Sequence, residues 1–130
     1  MYRKPNRPAH DITQPFNSGI VKIYRTANGA KPGHKAAEIL QDPPVTLRYE
    51  EQRTGAARYY AAKQANIQID RVLRCPRVAG IDTQSVAETE DGEQYRIAQI
   101  QSVSGVWPDC VDLSLTKIVQ KLEVIANGMA

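Results

Sequence analysis

The segment that most constrains the fold is residues 85–103, where two runs typical of β-strands flank an acidic turn containing Asp91 and Gly92. An Asp-Gly pair between alternating apolar and polar residues is a strong signal for a β-hairpin, because glycine adopts a positive φ without steric cost. The second arm, residues 93–103, is longer than an ordinary strand. The pattern therefore predicts a hairpin whose second arm is a central strand of a sheet or small barrel.

The side-chain pattern of this second arm changes partway along it. Tyr95 and Ile97 point to one face under simple alternation, and Ile100 points to the other. This change predicts either a β-bulge near residues 98–99 or burial of both faces. The hairpin is interpreted as a structural scaffold that depends on four residues: Asp91, Gly92, Tyr95 and Ile97.

The other strands are predicted from β-branched content and from alternation of apolar and polar residues. They cover residues 19–26, 45–53, 67–75 and 111–115, and Arg71 interrupts the apolar face of the third. Residues 54–66 have the N-capping threonine, alanines and long side chains of a short α-helix. Most consecutive strands lack a crossover helix, which favours antiparallel pairing. The predicted fold is mainly β, a small antiparallel barrel of about six strands with one inserted helix, over residues 19–118.

Three segments lie outside this regular pattern. Residues 1–18 contain scattered prolines and no periodicity, which indicates a flexible N-terminal arm. A loop is predicted over residues 27–44, between the first two strands, and it is longer than the usual length of about 4 to 6 residues. In the C-terminal tail, residues 119–130, apolar side chains recur at helical spacing, which predicts a short amphipathic helix or a docking segment.

Composition narrows the functional class. The chain has 130 residues, the size of one domain, and its 17 basic and 14 acidic residues are too balanced for a dedicated nucleic-acid-binding protein. Neither a membrane span nor a signal peptide is predicted. Cys75 and Cys110 fall at predicted strand ends, where packed thiols in a reducing compartment are expected. The expected compartment is the cytosol.

The residue pattern predicts no catalytic, cofactor-binding or metal site. His10 and His34 lack a second ligand at metal-binding spacing. No Gly-x-Ser-x-Gly elbow or phosphate-binding loop is present, and the clustered carboxylates fit a solvated turn. We therefore expect a protein that is not an enzyme.

A small barrel with exposed aromatic side chains could instead bind single-stranded nucleic acid by base stacking, as an OB-like module. Alternation places several of these aromatic residues on core faces, which favours packing over a binding platform. The alternative remains open for the six residues concerned: Tyr24, Tyr49, Tyr59, Tyr60, Tyr95 and Trp107.

The chain resembles a known family in residues 53–77, 81–101 and 108–118. These segments contain a tyrosine pair in a predicted helix, a strand that ends in Leu-Arg-Cys-Pro, an Asp-Gly turn, a Tyr-Arg-Ile strand and a final strand of alternating leucines. The pattern is similar to that of the small head-tail connector proteins of tailed bacteriophages, also called head closure, head completion or stopper proteins. The resemblance covers about half of the chain and includes no catalytic motif.

This resemblance implies a ring oligomer, a hexamer or a dodecamer, between a portal-bound adaptor and the tail terminator or tail tube protein. Such a ring assembles in the host bacterial cytoplasm, lies in the neck of the virion and helps to retain packaged double-stranded DNA. In relatives a long loop projects into the channel, and the matching stretch by position is residues 27–44. Its Lys31, His34 and Lys35 are the candidate residues facing DNA phosphates; a solvated loop is the alternative for these three side chains.

Overall fold

The computed structural model describes residues 12–28, 38–53 and 68–126, and for residues 28 and 124–126 it describes the backbone alone. Nine β-strands lie in this part of the chain, and it contains no α-helix. The predicted helix, residues 54–66, lies outside the described residues. The strands are β1 (Ile12–Thr13), β2 (Gly19–Asn28), β3 (Glu38–Glu51), β4 (Arg71–Pro76), β5 (Val86–Thr89), β6 (Gln94–Val103), β7 (Val106–Trp107), β8 (Cys110–Lys117) and β9 (Val124–Ala126).

Six antiparallel strands close into a ring of hydrogen-bonded neighbours in the order β2, β5, β6, β8, β4 and β3, with β3 pairing back to β2. The prediction of a mainly β fold with a small antiparallel barrel of about six strands is therefore confirmed. Closure gives each of these strands a partner on both sides along part of its length, so little strand edge is left unpaired.

The main core fills the inside of this ring. Alternation places one face of each strand inward, as sequence periodicity predicts for β-strands. The strands β6 and β8 pair from Tyr95↔Lys117 to Val103↔Cys110, which brings the inward residues of the two strands together. The buried inward residues are Val21, Ile23, Tyr49, Leu73, Cys75, Ala87, Tyr95, Ile97, Val111, Leu113 and Leu115.

The strand β6 contains the predicted bulge. Its pairing with β8 shifts between Ile97 and Gln99, so that Ala98 is the extra residue. The shift returns Ile100 to the inward side, where it packs against the same core as Tyr95 and Ile97. The bulge explains the change in the alternation of apolar residues along β6, since an inserted residue moves every later side chain to the other face.

The connection between the first two strands is shorter than predicted. Residues 27–28 belong to β2 and residues 38–44 belong to β3, so strand occupies both ends of the predicted loop, residues 27–44. Pro43 and Pro44 read as breakers in the sequence, yet they lie where the pairing of β2 with β3 jumps from Ile23↔Val45 to Arg25↔Gln41. An irregularity of the ladder can accommodate prolines because no ladder N–H is needed there.

Both ends of the chain dock on the barrel where they are described. Residues 12–13 pair in parallel with β7, and the Ser18 N–H donates to the Tyr49 carbonyl at 3.0 Å. This part of the predicted flexible arm, residues 1–18, is therefore tied to the domain; residues 1–11 lie outside the described part. Of the two structures predicted after Ile118, a short helix or a docking segment, the described residues form the docking segment, since β9 is extended and pairs in parallel with β3. Docking replaces the helix because β3 offers unpaired backbone groups there.

Candidate functional site

The strongest candidate for a functional feature is a ribbon formed by the outer halves of β2 and β3. The strand β5 pairs with β2 only as far as Tyr24↔Val86. Beyond that point β2 continues to Asn28, paired with β3 from Arg25↔Gln41 to Asn28↔Glu38. The ribbon therefore extends past the strand that flanks β2 in the barrel, and its last register pair brackets residues 29–37.

The predicted loop residues Lys31, His34 and Lys35 lie outside the described residues. The two residues that flank this stretch are direct register partners across β2 and β3. The segment that carries the three basic side chains therefore begins and ends at the tip of the ribbon.

An ion pair braces the ribbon against the barrel. The Arg96 guanidinium on β6 donates two hydrogen bonds to the Glu38 carboxylate on β3, at 2.9 and 2.7 Å. The bond from Arg96 is the main cause that holds the pKa of Glu38 below its usual value, and the same bond raises the pKa of Arg96. Bidentate geometry fixes orientation as well as distance, so this pair holds the start of β3 in place.

A second apolar cluster lies at the base of the ribbon, on the outer side of the barrel. Tyr24, Leu40 and Val86 are buried there, and Ile118 and Leu122 from the C-terminal segment pack against them. This cluster therefore joins three parts of the molecule. Leu40 belongs to the ribbon, Val86 to the hairpin of the barrel, and Leu122 to the C-terminal segment.

The hairpin scaffold has the predicted geometry. Gly92 adopts a φ of +82°, and its N–H donates to the Thr89 carbonyl at 2.9 Å. The Asp91 carboxylate accepts hydrogen bonds from the Thr89 hydroxyl at 2.5 Å and from the Glu93 N–H at 3.0 Å. These two bonds, the Thr89 bond first, hold the pKa of Asp91 below its usual value. Tyr95 and Ile97 face the core as expected of scaffold residues.

A polar cluster that the sequence did not reveal fills one end of the barrel around Arg71. Its guanidinium group forms an ion pair with Glu51 on β3 and donates to the hydroxyls of Tyr49 at 3.3 Å and Tyr95 at 3.4 Å. The guanidinium carbon lies 5.8 and 5.4 Å from the centres of the same two rings. The bond to Glu51 is the largest cause that raises the pKa of Arg71, so its charge is permanent.

The Glu90 carboxylate extends this cluster to the start of β2. It accepts hydrogen bonds from the Tyr49 hydroxyl at 2.9 Å and from the Ile20 N–H at 3.0 Å. Partial burial acts to raise the pKa of Glu90, but these bonds and the charge of Arg71 together hold it below its usual value. A side chain at Gly19 would meet this carboxylate, since an added Cβ would lie 2.6 Å from Oε1.

Arg71 could have been found from one sequence signal, whereas Glu90 could not. Arg71 shares the inward face of β4 with Leu73 and Cys75, and a charged residue at an inward position requires polar partners. Its partners come from three other strands or turns, however, and a one-dimensional pattern does not identify them. The cluster satisfies its own donors and acceptors, so it stabilises the end of the barrel.

The two cysteines are buried thiols. Neither forms a disulfide, and both lie in the barrel core region where β4 pairs with β8. Burial is the main cause that raises the pKa of Cys75 to about 12, and burial also raises the pKa of Cys110. Since the thiolate is the reactive form, Cys75 is a poor nucleophile at neutral pH.

Two open surface depressions lie near these elements. One, of about 280 Å³, lies between the outer part of β2 and the loop before β5, lined by Arg25, Thr26, Gly80, Asp82, Gln84 and Ser85. The other, of about 360 Å³, lies beside the hairpin turn and is lined by Ile20, Lys22, Glu88, Thr89, Glu90 and Gly92. The charges that line each depression have both signs, which favours no single class of charged ligand.

The tyrosines that could have formed a stacking platform are mostly in the core. Tyr24, Tyr49 and Tyr95 are all buried, and Trp107 is half-buried. Tyr59 and Tyr60 lie outside the described residues.

Within the described part, no group of three or more His, Cys, Asp or Glu side chains is arranged to hold a metal ion. The same residues include no helix that is long and apolar enough to cross a membrane.

Comparison with known proteins adds no family to this description. No protein-family model matches the chain, and no curated protein matches it.

Proposed function

We propose that this protein is a structural head-tail connector of a tailed phage or prophage. It forms a ring between the portal-bound adaptor and the tail, in the neck of the virion, and helps to retain packaged double-stranded DNA. The observation that carries the proposal is the ribbon of β2 and β3, which continues beyond the last β2–β5 pair and ends at the register pair that flanks residues 29–37 in the sequence.

The barrel itself supports a structural role. Apolar side chains fill its inside, and the Arg71 cluster fills one of its ends with polar groups that bond to one another. A ligand inside would have to displace this packing, whose loss costs several kcal/mol in typical cores. The activity of such a domain lies in the surfaces that it offers to other molecules.

The braced ribbon suits a channel-lining element. A segment that acts on DNA in a ring must be held at a fixed height and direction in every subunit. The cluster of Tyr24, Leu40 and Val86 holds the base of the ribbon, and the Arg96–Glu38 ion pair contacts its outer end. Lys31, His34 and Lys35 in residues 29–37 supply basic side chains for DNA phosphates, which attract cations at any sequence.

Assembly with the portal-bound adaptor tests the proposal. We expect negative-stain electron microscopy and native mass spectrometry of the mixture to show a ring of identical subunits. Particles assembled with a Lys31→Ala/Lys35→Ala variant should form the ring but retain less packaged DNA than wild-type particles. The matched control is Lys22→Ala/Arg48→Ala, which removes two exposed charges from the barrel and should leave DNA retention unchanged.

Two results would contradict the proposal. The first is a protein that stays monomeric with the adaptor and with the tail protein. The second is equal DNA retention by the loop variant and the wild type, which would remove the assigned role of residues 29–37 while leaving a ring possible. The genes beside the coding sequence give an independent check, since portal, capsid and tail genes are expected there.

A further inference from the structure

We draw no further inference here: the strongest candidate, the surface depression of about 280 Å³ between the outer part of β2 and the loop before β5, carries nothing because Thr26 and Gln84, which line it, already bond to each other at 3.1 Å, and nothing in the described part of the structure shows what covers it.

Discussion

Arg71 and Tyr95 lie against each other inside one end of the barrel, with the guanidinium carbon 5.4 Å from the centre of the phenol ring and Nη1 3.4 Å from its hydroxyl. The Tyr49 ring centre lies 5.8 Å from the same carbon, and Nη2 lies 3.3 Å from the Tyr49 hydroxyl. A cation close to two aromatic rings is attracted by both, and the attraction is stronger where water is excluded. The polar cluster therefore contributes to the free energy of folding of the barrel.

Replacement of Arg71 tests that role. We expect Arg71→Ala to lower the free energy of unfolding by on the order of 1 to 3 kcal/mol, because the hydroxyls of Tyr49 and Tyr95 lose a partner in a half-buried place. Urea denaturation measures the change. Arg48→Ala, on the exposed face of β3, is the matched control and should change stability by less than about 0.5 kcal/mol. Equal losses in the two variants would show that the cluster contributes no more than a surface charge.

Local patterns explain why the hairpin and the bulge were predictable from the sequence. The Asp-Gly turn, the alternation around it and the parity change between Ile97 and Ile100 are all contained in residues 85–103. Each of these signals depends only on residues that are neighbours in the chain, so the hairpin and the bulge can be predicted from the sequence. The scaffold residues Asp91, Gly92, Tyr95 and Ile97 could be identified for the same reason.

The ribbon and the polar cluster depend on partners that are distant in the chain. Pro43 and Pro44 indicate a loop by themselves, and only the irregular pairing opposite Tyr24 allows them in a strand. The helical spacing after Ile118 favours a helix locally, but this segment instead pairs with β3, some eighty residues earlier in the chain. Tertiary contacts of this kind override local preference, and the sequence alone does not specify them.

Gly92 tests the turn geometry. Its φ of +82° is unfavourable for a β-branched residue, so Gly92→Val should lower the free energy of unfolding by about 1 to 3 kcal/mol. Space is available, since an added Cβ would lie 3.7 Å from Lys121 Nζ, and the loss must therefore come from the backbone. Gly92→Asn is the control, because asparagine tolerates this conformation at a smaller cost. A melting temperature for Gly92→Val equal to that of the wild type would contradict the assigned turn.

Acid should weaken the cluster at Glu90. The folded state holds the pKa of Glu90 below its usual value, so this carboxylate stabilises the fold above the unfolded pKa of about 4.3. That contribution is lost as the pH falls through the folded pKa. We expect the wild-type melting temperature to fall more between pH 6 and pH 3 than that of Glu90→Gln. Tyr49→Phe, which removes the hydroxyl that donates to Glu90, should show the same reduced acid sensitivity. Parallel curves for all three proteins would rule out this source of pH dependence.

Gln94 provides the test of how firmly the C-terminal segment docks. Its side chain binds both backbone groups of Leu122, the residue that follows the exposed Lys121. Loss of these two hydrogen bonds removes roughly 1 to 3 kcal/mol from the docked state, and about 1.4 kcal/mol of this makes the segment open tenfold more often. Gln94→Ala should therefore increase the initial rate of trypsin cleavage after Lys121 by about tenfold. Gln101→Ala, on the same strand β6 and remote from Leu122 in the strand register, is the matched control. Mass spectrometry of the released C-terminal peptide measures the rate, and equal rates for the two variants would show that other contacts hold the segment in place.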